Sequence, residues 1–85
     1  MKPVTIYTTP ICPYCARALS LLHKKGVEFK EIHAPSGSAP REESIKRSGG
    51  VTSVPQIFID GASIGGSDEL AELERTGKLD ALLRQ

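Results

Sequence analysis

Val4-Thr5-Ile6-Tyr7-Thr8-Thr9-Pro10-Ile11-Cys12-Pro13-Tyr14-Cys15 leads from an extended run into a helical one and holds both cysteines of the chain. Val4-Thr5-Ile6-Tyr7 alternates apolar with polar or amphipathic side chains and is rich in β-branched residues, which predicts a first strand. Thr8-Thr9-Pro10-Ile11 breaks that period. Pro13 suits the first turn of a helix, where a missing N–H removes no hydrogen bond, so a helix is expected to begin near Cys12. Along it Cys15, Leu19 and Leu22 fall at i, i+4 and i+7, with Ala18 four before Leu22, and one apolar face runs through. Lys24-Lys25 suit the negative end of the helix dipole, and Gly26 is placed to cap it.

Further on, Val27–Ile32 reads as a second strand, and Ala34-Pro35-Ser36-Gly37-Ser38-Ala39-Pro40 as a loop of small and turn-forming residues. A second helix is expected from Pro40, with Glu42 and Glu43 in its first turn, ending before Gly49-Gly50. Its one large apolar residue is Ile45, so it should lie mostly exposed and lightly anchored. Gln56-Ile57-Phe58-Ile59-Asp60 is apolar on both faces, the pattern of a central strand covered on two sides, with Pro55 at its start. Asp60-Gly61 signals a tight hairpin into Ala62-Ser63-Ile64. Ser67 then reads as the N-cap of a third helix, with Asp68 and Glu69 in its first turn, Leu70 and Leu73 inside and Gly77 at its stop. Leu79–Leu83 suffices for a short terminal helix. The order is β-α-β-α-β-β-α with a helical tail, an α/β domain with the first two strands parallel and the last two an antiparallel hairpin.

At 85 residues the chain is expected to be one domain, 1–85, whose modest core buries roughly 60 to 65% of the unfolded surface. Hydrophobic residues make up 39% and charged residues 25%, ordinary values that suggest neither disorder nor a membrane span. Eleven basic and ten acidic residues leave a net charge of +1, too little for the phosphate attraction that drives nucleic-acid binding. Met1-Lys2-Pro3-Val4-Thr5 shows no apolar stretch of an export signal, and a cytoplasmic address and a monomer are expected. Two cysteines cannot build the multi-bridge framework of small secreted domains. Two residues apart, they point to a redox pair or to half of a metal site.

At a helix start, Cys12 and Cys15 share one side with Cα atoms ~5 to 6 Å apart, within reach of a disulfide. Cys12 faces the unpaired N–H groups and the positive dipole end, which favour a thiolate. Cys15 is one turn deeper on the apolar face. Cys12 is therefore the expected nucleophile and Cys15 the protected resolving thiol, the division that thiol–disulfide exchange needs. Zinc is a weaker alternative: Cys12, Cys15, His23 and His33 offer four ligands, but the gap between the histidines misses the usual short spacing. No metal site is expected.

The chain resembles the dithiol glutaredoxins, those with a Cys-Pro-Tyr-Cys centre. The likeness runs through Ile6-Tyr7-Thr8, Ser53-Val54-Pro55-Gln56-Ile57-Phe58-Ile59 and Ile64-Gly65-Gly66-Ser67-Asp68-Glu69-Leu70, in that order. It implies a thioredoxin-like fold with a mixed four-stranded sheet, a cis peptide before Pro55, and a glutathione-dependent thiol–disulfide oxidoreductase acting on protein–glutathione mixed disulfides and protein disulfides. No bound cofactor is implied; glutathione is the reducing co-substrate. Its γ-glutamyl carboxylate would sit on Ser67 and the N–H groups that open the third helix, beside Gly66. Asp68 would pair its ammonium, Val54 would exchange backbone hydrogen bonds with its cysteinyl unit beside Pro55, and Tyr14 would flank its sulfur. Where many relatives carry a lysine for the glycyl carboxylate, this chain has Thr9, which can hydrogen-bond but not neutralise it; Arg41, Lys46 or Arg47 would then supply the charge. Two alternatives share the resemblance. One is a [2Fe–2S] carrier using Cys12 and glutathione thiols from two subunits, against which Pro13 argues; the other is a protein reduced by a flavin reductase, against which Ser67-Asp68 argues.

Overall fold

In a computed structural model that describes residues 2–84, the chain forms four strands and four helices. They are β1 (Val4–Thr8), α1 (Pro13–Lys24), β2 (Phe29–His33), α2 (Ala39–Arg47), β3 (Gln56–Ile59), β4 (Ala62–Gly65), α3 (Ser67–Arg75) and α4 (Lys78–Leu83). The ends of the expected 1–85 span, Met1 and Gln85, lie outside the described residues. The strands form one mixed sheet in the order β2-β1-β3-β4: β1 runs parallel to β2, β3 antiparallel to β1, and β4 antiparallel to β3. The parallel pair follows from the crossover through α1, and the antiparallel pair from the two-residue turn at Asp60-Gly61. Both turn residues have positive φ, 53° and 82°, the conformation that Asp-Gly supplies most readily.

Period-2 alternation divides the sheet between two cores. Val4 and Ile6 of β1 and Ile57 and Ile59 of β3 pack under α1, α3 and α4 against Ala18, Leu22, Val27, Leu70, Leu79 and Leu83. Tyr7 and Phe58 face the other way with Ala34, beneath α2, their rings edge to face at 5.5 Å. All four residues of β3 are buried, as apolar groups on both faces require. Each leucine fully withdrawn from water, such as Leu22 or Leu70, contributes about 1.5–3 kcal/mol. Lys25, at the C-cap of α1, reaches Glu74 of α3 at 3.0 Å and Asp80 of α4 at 2.7 Å, holding the last helices to the first.

Three expectations change. The second strand begins at Phe29 rather than Val27, because its partner begins at Val4 and the register sets Val4 opposite Phe29; Val27 is buried outside the ladder. The second helix is mostly exposed, but its fully buried residue is Ser44, with Ile45 only half-buried. Polar contacts anchor it instead: Tyr7 donates its hydroxyl hydrogen to Glu43, and Arg47 donates to the same hydroxyl at 2.8 Å while lying 4.4 Å from the Phe58 ring. Third, the N-cap of α3 is Gly66, and Ser67 is its first residue. Glu69 reaches back to accept the Gly66 N–H at 2.7 Å, so the helix start is closed from within and Ser67 is drawn inward. Among the described residues no helix is long and apolar enough to cross a membrane.

Candidate active site

Both cysteines sit where β1 hands over to α1, beyond one edge of the core. Ile11, just before the pair, has φ +55° and a side chain fully exposed to solvent. A β-branched residue rarely adopts that conformation, and nothing in the composition of the stretch foretells it. Cys12 follows in an extended conformation as the N-cap of α1, and its Sγ accepts the backbone N–H of Cys15 at 3.2 Å. The capping place that Ser or Asp commonly fills is here taken by a sulfur.

The two thiols are free and unlike: Cys12 is half-buried and Cys15 buried. Burial alone would push Cys12 up, but hydrogen bonds from the Cys15 thiol, from the Cys15 and Tyr14 backbone and from the Thr9 side chain outweigh it and hold Cys12 below the ordinary thiol value. For Cys15 burial is again the largest influence, the hydrogen bond to Cys12 works in the same direction, and the thiol is pushed up to about 11. Thr9 thus faces both sulfurs.

On one side of the pair a shallow groove is lined by Tyr14, Ser53, Val54, Pro55, Gly66, Ser67, Asp68 and Glu69. Every expected glutathione-binding residue except Thr9 lies along it. The Val54–Pro55 peptide is cis. A Cβ built on Gly66 would lie 3.0 Å from the Pro55 carbonyl oxygen, so the start of α3 packs directly against that segment and a larger residue would press on it. Ser67 is buried and its hydroxyl has no partner among the described residues. Such a group normally finds a hydrogen bond.

Both arginines expected near the glycyl carboxylate also make contacts within the chain. Arg41 donates to the carbonyls of Ala34 at 2.8 Å and Thr52 at 3.1 Å, clasping the loop before α2 to the loop before β3. Arg47 is held by Tyr7 and Phe58, and Lys46 lies on the outer part of α2. The four zinc candidates are not assembled: His23 packs edge-on to Phe29, and His33 lies at the end of β2 beside Glu31. Among the described residues no three His, Cys, Asp or Glu side chains converge.

The glutaredoxin family model matches residues 4–64. Glutaredoxin 3 of Escherichia coli strain K12 is 55% identical over 84 residues, which cover 99% of this chain and 100% of that protein. Among solved structures, a glutaredoxin from Brucella melitensis is 53% identical with a TM-score of 0.84, covering 98% of this chain and 89% of that one. A buckwheat glutaredoxin–glutathione complex is 30% identical with the same TM-score, covering 96% and 76%.

Proposed function

This chain belongs to the glutaredoxin family of thiol–disulfide oxidoreductases, and from that premise we propose that it reduces protein–glutathione mixed disulfides and protein disulfides at the expense of glutathione, with Cys12 as nucleophile and Cys15 as resolving thiol. The observation that carries the reading is the opposite displacement of two thiols one helical turn apart, Cys12 down and Cys15 up to about 11. The thiolate is the attacking species, so the more acidic and more accessible sulfur attacks first. Cys12 takes the glutathionyl sulfur from a client, the client thiolate leaves and is protonated, and glutathione remains on Cys12. A second glutathione thiolate attacks that sulfur, freeing Cys12 and forming oxidised glutathione. For a protein disulfide Cys12 forms the mixed disulfide, Cys15 displaces the client thiolate, and two glutathiones reduce the Cys12–Cys15 bridge.

The groove beside Tyr14 supports glutathione as the donor, and the buckwheat relative with glutathione bound shares the fold over 96% of this chain. The N–H groups at the start of α3, with Ser67 in the groove wall, suit the γ-glutamyl carboxylate. Asp68 suits the ammonium, and Val54 backbone beside Pro55 suits the cysteinyl peptide. Of the three basic candidates, Arg41 reaches the segment preceding Val54 through the Thr52 carbonyl. It is our choice for the glycyl carboxylate, with Thr9 at the thiol end. A deglutathionylation assay tests the assignment: Cys12→Ser abolishes turnover and Cys15→Ser keeps the single-thiol route. Full activity in Cys12→Ser would overturn it.

A further inference from the structure

A second cavity, open to solvent and sharing no lining residue with the groove proposed for glutathione, is lined by Thr9, Pro10, Ile11, Cys12, Pro13, Cys15, Ala16, Leu19 and Glu31. Its wall is apolar but for the two thiols, Thr9 and one carboxylate. Glu31 stands opposite Ile6 in the parallel ladder and so projects from the sheet face that α1 covers. Thr8, on the same face and 1% exposed, donates its hydroxyl hydrogen to Glu31 Oε2 at 2.7 Å. The Thr8 hydrogen bond fixes this carboxylate at the wall that both thiols share.

The dithiol route has an unassigned step. Cys15 must lose its proton to displace the client, yet its thiol is pushed up to about 11, chiefly by burial. Burial persists once Cys12 is occupied, whereas the contribution of Cys12 itself falls away. At neutral pH the thiolate fraction is minute, and a base that takes the proton while the new bond forms removes the need for prior ionisation. We propose that Glu31, positioned by Thr8, accepts the Cys15 proton during resolution, directly or through one water in the cavity. The inference rests on the dithiol reading above. Cys15 Sγ gives its proton to the carboxylate and bonds to Cys12 Sγ; the Cys12–client bond breaks, and the electron pair leaves on the client sulfur. The protonated side chain, 35% exposed, then returns its proton to solvent. The titratable groups facing Glu31 are Cys12 and Cys15 from the start of α1 and His33 Nε2, 3.7 Å away on its own strand; β1 presents the uncharged Thr8.

The test is the rate of client thiol release from a preformed Cys12–client mixed disulfide, without glutathione, followed across pH. In the wild type the rate stays nearly flat from about pH 6.5 to about pH 9, because the Cys15 proton passes to Glu31 as the Cys15–Cys12 bond forms and prior ionisation is not required. Glu31→Gln, whose carbonyl can still accept the Thr8 hydrogen, releases client at least about tenfold more slowly near neutrality and gains about tenfold per pH unit as Cys15 ionises unaided. Glu31→Asp restores the flat profile at a reduced rate. Parallel profiles for wild type and Glu31→Gln would overturn the proposal, as would a wild-type rate that itself climbs tenfold per unit. A wild type that forms the mixed disulfide but never releases client would overturn the dithiol reading, and the role of Glu31 with it.

Discussion

The backbone N–H of Cys15 points at Cys12 Sγ from 3.2 Å, so Cys15 solvates the Cys12 sulfur through its main chain while its own thiol lies in the core. One helix start therefore produces two thiols of opposite character.

The first prediction follows from that asymmetry. Alkylation by iodoacetamide near neutral pH, mapped by mass spectrometry, modifies Cys12 and spares Cys15. Stability follows in opposite directions. Cys12, lowered in the folded state, contributes stability present above the unfolded thiol value and lost as pH falls through the folded one. Cys15, raised from 9.0 to about 11, contributes stability present below the unfolded value and lost as pH rises between the two. The denaturation midpoint of the reduced protein should fall across that alkaline window in the wild type and fall less in Cys15→Ser. Equal falls in both would exclude the burial account.

A second prediction concerns Asp68, exposed on the first turn of α3 in the wall of the groove proposed for glutathione. Asp68→Asn removes a partly solvated charge contact worth about 0.2–1 kcal/mol, and the KM for glutathione should rise roughly 1.5- to 5-fold with kcat little changed. A glutathione analogue lacking the α-amino group should show no difference between wild type and variant. A difference that survives with the analogue would remove Asp68 from the ammonium subsite.

Much of this was legible before any coordinates, for local reasons. Cys-Pro-Tyr-Cys after an alternating strand fixes a helix start, Asp60-Gly61 dictates its own turn, and Gln56–Ile59 declares burial on both faces. What escaped depends on partners far along the chain. Ser44 is the buried residue of α2 because Glu43 and Arg47 reach Tyr7, nearly forty residues earlier. Ser67 looked like a cap until Glu69 took the Gly66 N–H. The joining of Glu31 to Thr8 across the parallel ladder becomes visible only when β1 and β2 lie side by side.

The Tyr7 hydroxyl gives a third prediction. Burial and then the Glu43 hydrogen bond raise its pKa, so it acts as a neutral bridge between sheet and helix. Tyr7→Phe keeps the ring packed on Phe58 but frees Glu43 and Arg47, which can turn to water because both are exposed. The loss is then about 1 kcal/mol, or roughly 4–8 °C in Tm for a domain of this size. Cys12 alkylation should be unchanged, because α2 packs on the sheet face opposite α1. An altered alkylation rate would mean that the second core bears on the cysteine pair.

Gly65 supplies the fourth. Its φ is +104°, and a Cβ there would lie 2.7 Å from Glu69 Cγ and 2.8 Å from Oε1. Gly65→Ala therefore combines backbone strain with displacement of the carboxylate that closes Gly66 N–H, and should cost about 1–3 kcal/mol in thermal or denaturant unfolding. Because Gly66 and Ser67 line the groove proposed for glutathione, the KM for glutathione should rise beyond what Glu69→Gln produces, since that variant keeps an acceptor for the Gly66 N–H. If Gly65→Ala lowered stability but left the KM at the wild-type value, the start of α3 would be a structural cap alone, and the γ-glutamyl carboxylate would have to bind elsewhere.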